Sequence, residues 1–168
     1  MTKKVLYFGY GANKNPEMIA AIIGRKPCGF PAKLFNYGLF IQSWKDIPVK
    51  ARKILRETSS FEEGFKSYCI SPSKGKSTQG MVWTITRLER QLIGAWELHG
   101  VWYKPIVVDV TTLNGKIIKN VETEVIRSKE IKQFMLGNRY KAFPNDQRIM
   151  LMEARKTREE FLLNLEGS

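Results

Sequence analysis

The chain has 168 residues, 43% hydrophobic and 26% charged, with 28 Lys and Arg against 16 Asp and Glu for a net charge of +12. That length suits one domain whose core needs no metal or disulfide staple, and the composition excludes a disordered chain. The longest apolar runs, such as Met18 to Ile23, fall far short of the ~20 residues that cross a bilayer, and the positive balance points to anionic partners rather than to any fold.

Cys28 and Cys69 are the two cysteines, with no CxxC pair and no Cys/His cluster. No metal or zinc site is expected, and both are read as thiols of a reducing, cytoplasmic compartment. Lys3 and Lys4 resemble the start of a signal peptide, but Gly9, Gly11, Asn13 and Lys14 interrupt the apolar stretch that follows.

In chain order, Val5 to Phe8 reads as a strand ending in Gly9-Tyr10-Gly11. Asn15-Pro16-Glu17 then carries three helix-start signals: an N-cap residue, a first-turn proline and an acid facing the helix dipole. Met18, Ile19, Ile22 and Ile23 share one face, and Gly24 supplies the stop. A second strand is expected over Leu34 to Trp44, bulged near Asn36-Tyr37-Gly38, followed by a polar, turn-rich excursion from Lys45 to Gly64. Phe65 to Ile70 and Met81 to Thr86 read as strands flanking a loop at Ser71 to Gln79.

Arg87 to Glu97 has helical spacing at Leu88, Leu92, Ile93 and Trp96. Trp102 to Leu113 and Lys116 to Ile126 are β-rich and joined by Asn114-Gly115, a strong hairpin signal. Ser128 is read as the cap of a short helix ending before Gly137, Asn138 to Pro144 as a loop, and Asp146 to Leu165 as a long helix with Arg155/Glu159 and Lys156/Glu160 at i,i+4. The sum is one α+β domain over residues 1–168, its mostly antiparallel strands closing into a small barrel flanked by helices.

The single histidine, His99, lacks a nucleophile motif, and Gly9-Tyr10-Gly11 lacks the third glycine of a dinucleotide fingerprint. What remains is the turn Gly9-Tyr10-Gly11-Ala12-Asn13, whose glycines permit φ > 0 and a nest of backbone N–H groups for an anion. The second candidate is Glu97, set among Leu92, Ile93, Trp96 and Leu98; burial there would raise its pKa toward that of a neutral-pH acid and base. Tyr103 follows on the next strand, its hydroxyl expected in the same cavity. The bland alternatives are a tight turn, an exposed helix-end glutamate and a wall tyrosine.

Tyr7-Phe8-Gly9-Tyr10-Gly11-Ala12-Asn13 resembles the YFAYGSN opening of the γ-glutamylcyclotransferase (AIG2-like) family. Gly80-Met81-Val82-Trp83 is similar to a later strand of that family. Ile93-Gly94-Ala95-Trp96-Glu97, with Tyr103 and Ile106 to Val110 after it, resembles its glutamate-bearing helix end and next strand. Ser128 to Gly137 and Phe143-Pro144 resemble its closing segment.

The resemblance implies an intramolecular aminolysis. The α-amine of a γ-glutamyl amino acid or amine attacks its own γ-carbonyl, releasing 5-oxoproline and the amine, with no cofactor. It implies Glu97 as general acid/base, and Tyr7, Gly9, Tyr10, Gly11, Ala12, Asn13 and Tyr103 as substrate-binding residues. Ala12 stands in place of the family's serine, Gly94 in place of its aspartate, and Leu98-His99-Gly100 in place of a single glycine. Ile131 stands where the family carries a tyrosine.

A rival reading takes the +12 charge and two basic clusters as a surface for nucleic acid or another anionic partner. The clusters are Lys50, Arg52, Lys53 and Arg56, then Arg127, Lys129, Lys132, Arg139 and Lys141. No nucleic-acid-binding motif accompanies them.

Overall fold

The computed structural model describes residues 2–127, 133–134 and 145–168. Strand β1 (Lys4–Gly9) is followed by a single 3-10 turn (Ala12–Lys14) and helix α1 (Pro16–Ile23). The capping signals act as read. The Asn15 side chain accepts from Glu17 N and Met18 N, worth about 1 kcal/mol, and Gly24 closes the helix at φ 91°.

Strand β2 (Gly29–Gln42) pairs antiparallel along nearly the whole of the 20-residue β3 (Ser67–Thr86). The break near Asn36 is present: the register shifts between Phe35 and Tyr37, and Asn36 takes φ 63°. The segment read as a loop at Ser71 to Gln79 belongs to β3. Phe35 faces Ser77 and Tyr37 faces Pro72, so only residues 73–76 leave the ladder. Its Ser, Gly and Lys have little strand propensity of their own, and pairing with β2 overrides it.

Lys45 to Gly64 holds a 3-10 turn (Trp44–Asp46) and helix α2 (Val49–Thr58), where an excursion without helices was expected. Ala51 and Leu55, four residues apart, are buried with Ile47 and Phe61, and this narrow stripe is what packs the segment down. Helix α3 (Arg87–Trp96) starts in a capping box: Thr86 Oγ1 accepts from Glu89 N and the Glu89 carboxylate accepts from Thr86 N. Leu88, expected on its apolar stripe, is 44% exposed, and Glu97 caps the helix rather than lying within it.

Strands β4 (Tyr103–Thr112) and β5 (Ile117–Ile126) form the hairpin, with Gly115 at φ 87° in its turn. Gln133–Phe134 is a two-residue strand, β6, on β2, where the sequence suggested helix; the remainder of 128–144 lies outside the described residues. Helix α4 (Gln147–Glu166) begins at the Asp146 cap, and Lys156 donates to the Thr58 carbonyl at 2.8 Å.

The sheet closes on itself in the order β1-β5-β4-β2-β3, with β1 parallel to β5 and every other barrel pair antiparallel. The result is an α+β domain around a closed five-stranded mixed barrel. Alternation along β1 sorts its side chains: Phe8 packs inside the barrel with Val82, Val110 and Val121, whereas Val5 and Tyr7 face the helices. The +12 charge is that of a chain in which no helix, among the described residues, is long and apolar enough to cross a membrane.

Candidate active site

A cavity of about 280 Å³ opens where β1 runs into the turn that precedes α1. Tyr7, Tyr10, Gly11, Ala12 and Asn13 line one side and Glu97 with Trp96 another. The turn is fixed from behind, because Trp83 Nε1 donates to the Asn13 carbonyl at 2.8 Å. Neither Gly9 nor Gly11 adopts positive φ, contrary to the expectation of a left-handed nest. The glycines are needed for space: a Cβ on Gly9 would lie 2.5 Å from the Asn13 carbonyl oxygen, and one on Gly11 3.2 Å from Tyr68.

Asn13 is the hub. It is buried, and its Nδ2 donates to Glu97 Oε1 at 2.7 Å and to the Tyr7 hydroxyl at 2.9 Å. Burial, and after it the charge of Glu124, pushes the Glu97 carboxyl up to about 8, with Asn13 and Arg90 pulling the other way. Burial also raises the phenols of Tyr7, Tyr10 and Tyr103 well above their ordinary value. They stay protonated, as donors and acceptors rather than bases.

Two expected site residues stand apart. Gly9 does not line the cavity, and neither does Tyr103. The Tyr103 hydroxyl donates to the Tyr68 carbonyl at 2.6 Å and meets Ser67 Oγ at 2.8 Å, which ties β4 to β3. Ile131 lies outside the described residues.

Glu124 of β5 was missed by the sequence reading. It lines the cavity, is 1% exposed, and accepts from Arg90 Nη1 at 2.6 Å and pairs with His99 Nε2. Arg90 also reaches Glu122 and lies 5.0 Å over the Tyr7 ring. Contacts therefore run from Glu97 through Asn13, Tyr7, Arg90 and Glu124 to His99. Leu98 at φ 48° and Gly100 at φ 87° form the turn that brings His99 back toward α3, with His99 N bonded to the Gly94 carbonyl at 3.0 Å.

Four of the lining residues are a run of aromatics: Trp96, Phe61, Phe65 and Trp102 follow one another with ring separations of 6.2, 4.4 and 6.4 Å. Among the described residues, no group of three or more His, Cys, Asp or Glu is placed to hold a metal ion.

No family model and no curated protein matches the sequence. Solved structures do resemble it. A γ-glutamyl cyclotransferase superposes with a TM-score of 0.59 at 19% identity, over 98% of this chain and 87% of the other. An uncharacterized protein from Homo sapiens gives 0.59 at 20%, over 97% and 86%. A protein from Arabidopsis thaliana gives 0.54 at 21%, over 99% and 84%. The chain thus has the γ-glutamyl cyclotransferase-like fold, as the resemblance in its opening motif implied.

Proposed function

We propose that the chain converts a γ-glutamyl amino acid or γ-glutamyl amine into 5-oxoproline and the free amine. The observation that carries this reading is the Asn13-held carboxyl of Glu97, poised near neutrality on the wall of a cavity shared with the Gly11-Ala12-Asn13 turn.

In this reaction the substrate's α-ammonium gives a proton to the Glu97 carboxylate, and the freed amine attacks the γ-carbonyl carbon. The new C–N bond closes a five-membered ring and the carbonyl oxygen gathers negative charge. As the bond to the departing nitrogen breaks, Glu97 returns the proton to it; the ring nitrogen, which still carries two hydrogens, then gives up its second proton through Glu97 to the released amine, which leaves as an ammonium. A carboxyl with a pKa near working pH suits these transfers. The backbone N–H groups of Gly11 and Ala12 are assigned to the substrate carboxylate or the developing oxyanion, where fixed donors are worth about 3 kcal/mol. Holding amine and carbonyl of one molecule in the cavity supplies the near-attack geometry. Tyr7, Tyr10 and Asn13 shape the γ-glutamyl end, and Gly9 and Tyr103 act through the backbone and wall they support.

The test is 5-oxoproline release from a panel of γ-glutamyl amino acids, glutathione and γ-glutamyl amines, with Glu97→Gln beside the native chain. Release from at least one substrate, abolished in a folded Glu97→Gln, is the expected result. Release unaffected by that substitution, or absent throughout, overturns the reading.

A further inference from the structure

We infer that the α4 side of the cavity is a cation subsite built on Glu153, and that the amine leaving the γ-glutamyl group carries a second, terminal positive charge. The monoconjugate of an aliphatic diamine is such a substrate. The subsite deepens the γ-glutamyl reading, and its substrate class rests on it.

Charge gives the first reason. In a chain of net charge +12, the charged side chains lining this cavity among the described residues are Glu97, Glu124, Glu153 and Glu160 against Lys66. Glu124 is answered by Arg90 and His99, and Glu97 is engaged with Asn13. Glu153 is different. It is 4% exposed, and its Oε1 accepts both the Ser60 N–H at 3.1 Å and the Ser60 hydroxyl at 2.7 Å. Among the described residues no cation pairs with it, and its Oε2 has no protein hydrogen bond. A carboxylate removed from water without a cation is costly, and a ligand that brings the cation removes the cost. Thr157 and Glu160, four and seven residues on, line the same cavity from the same face of α4.

The aromatic lining that shares the cavity with the two carboxyls gives the second reason. From Trp96, beside Glu97, the wall runs through Phe61 and Phe65, aromatic surface that covers methylenes and attracts a cation. An amine leaving as an α-amino acid would instead set a carboxylate next to the scissile nitrogen, beside Glu97 and Trp96. Among the described residues, Arg90 is buried but already committed to Glu122 and Glu124, and Lys66 of the lining is exposed.

The experiment compares γ-glutamyl conjugates of 1,4-diaminobutane, n-butylamine and alanine, and measures binding of 1,4-diaminobutane itself by calorimetry. Both are done with the native chain and with Glu153→Gln, whose amide oxygen keeps the Ser60 bonds. The diamine conjugate is expected to exceed the butylamine conjugate by roughly tenfold in kcat/KM, and Glu153→Gln to bring the ratio within about threefold. Free diamine is expected to bind roughly tenfold more weakly to the variant. If no conjugate yields 5-oxoproline while the diamine binds in a Glu153-dependent way, the subsite stands and the γ-glutamyl reading falls. Absence of diamine binding to the native chain, equal binding to both proteins, or equal turnover of the diamine and butylamine conjugates by the native chain overturns the subsite.

Discussion

Gly94 and His99 are complementary: a Cβ on Gly94 would stand 2.7 Å from His99 Nδ1. The missing side chain at the last turn of α3 is therefore the space in which the imidazole lies, with Nε2 directed to Glu124. Two departures from the family pattern, the glycine and the longer turn bearing the histidine, are parts of one feature. Gly94→Ala is expected to cost about 1–3 kcal/mol by overpacking, measured by urea unfolding. Adding His99→Ala is expected to recover much of that loss, giving a non-additive cycle. Simple additivity would separate the two positions.

Glu97 sets a pH dependence of stability. Its folded pKa, about 8, lies above the ordinary 4.5, so between those values the native state holds a proton that the unfolded chain has released. Its contribution is fully present below pH 4.5 and is lost as pH rises toward 8. Native protein is thus expected to lose stability across that window, and Glu97→Gln to flatten the curve. Denaturant midpoints at several pH values check this, and an unchanged slope in the variant would contradict it.

Asn13→Ala removes the donor that favours ionised Glu97. The acid limb of the 5-oxoproline rate profile, which tracks Glu97, is expected to move to higher pH. Stability is expected to fall by about 1–3 kcal/mol, because the Tyr7 hydroxyl also loses its partner. An acid limb that stays in place would show that Asn13 holds only the turn.

Glu124→Gln acts in the opposite direction. With the neighbouring anion gone and Arg90 less compensated, Glu97 ionises more easily, and the acid limb is expected to move to lower pH. The side chain of Arg90 is 5% exposed, so stability is expected to drop by about 3–5 kcal/mol. Carbon-13 titration of the Glu97 carboxyl reports the same shift without turnover. A midpoint equal to the native one would sink the coupling of the two carboxyls.

Local signals were legible in the sequence. Asn15, Pro16 and Gly24 delimit α1, Asn114-Gly115 turns the last hairpin, and Glu97 stands out as an acid among apolar neighbours. Long-range partners were not. Val121-Glu122-Thr123-Glu124 reads as an ordinary strand with acids on its wet side, and the partners that hold Glu124 buried, Arg90 and His99, are 34 and 25 residues back. Helix α2 hid behind Lys50, Arg52, Lys53 and Arg56, because its apolar stripe amounts to Ala51 and Leu55. The glycines of the opening turn were located correctly but given the wrong reason, since crowding by Asn13 and Tyr68 cannot be read from spacing. His99 has no nucleophile beside it in sequence, and its contact with Glu124 exists only once the barrel closes.

Residues 73–76, where β3 leaves its ladder opposite Asn36, have a practical consequence. Gly75 N bonds to Asn36 Oδ1 and takes φ 78°, which strains any side chain placed there, whereas its neighbour Lys74 is exposed. None of these residues lines the cavity. The fold thus carries a handle remote from its chemistry, where a peptide tag or a fluorophore-bearing cysteine can be grafted to tether the protein or follow its tumbling as substrate is added.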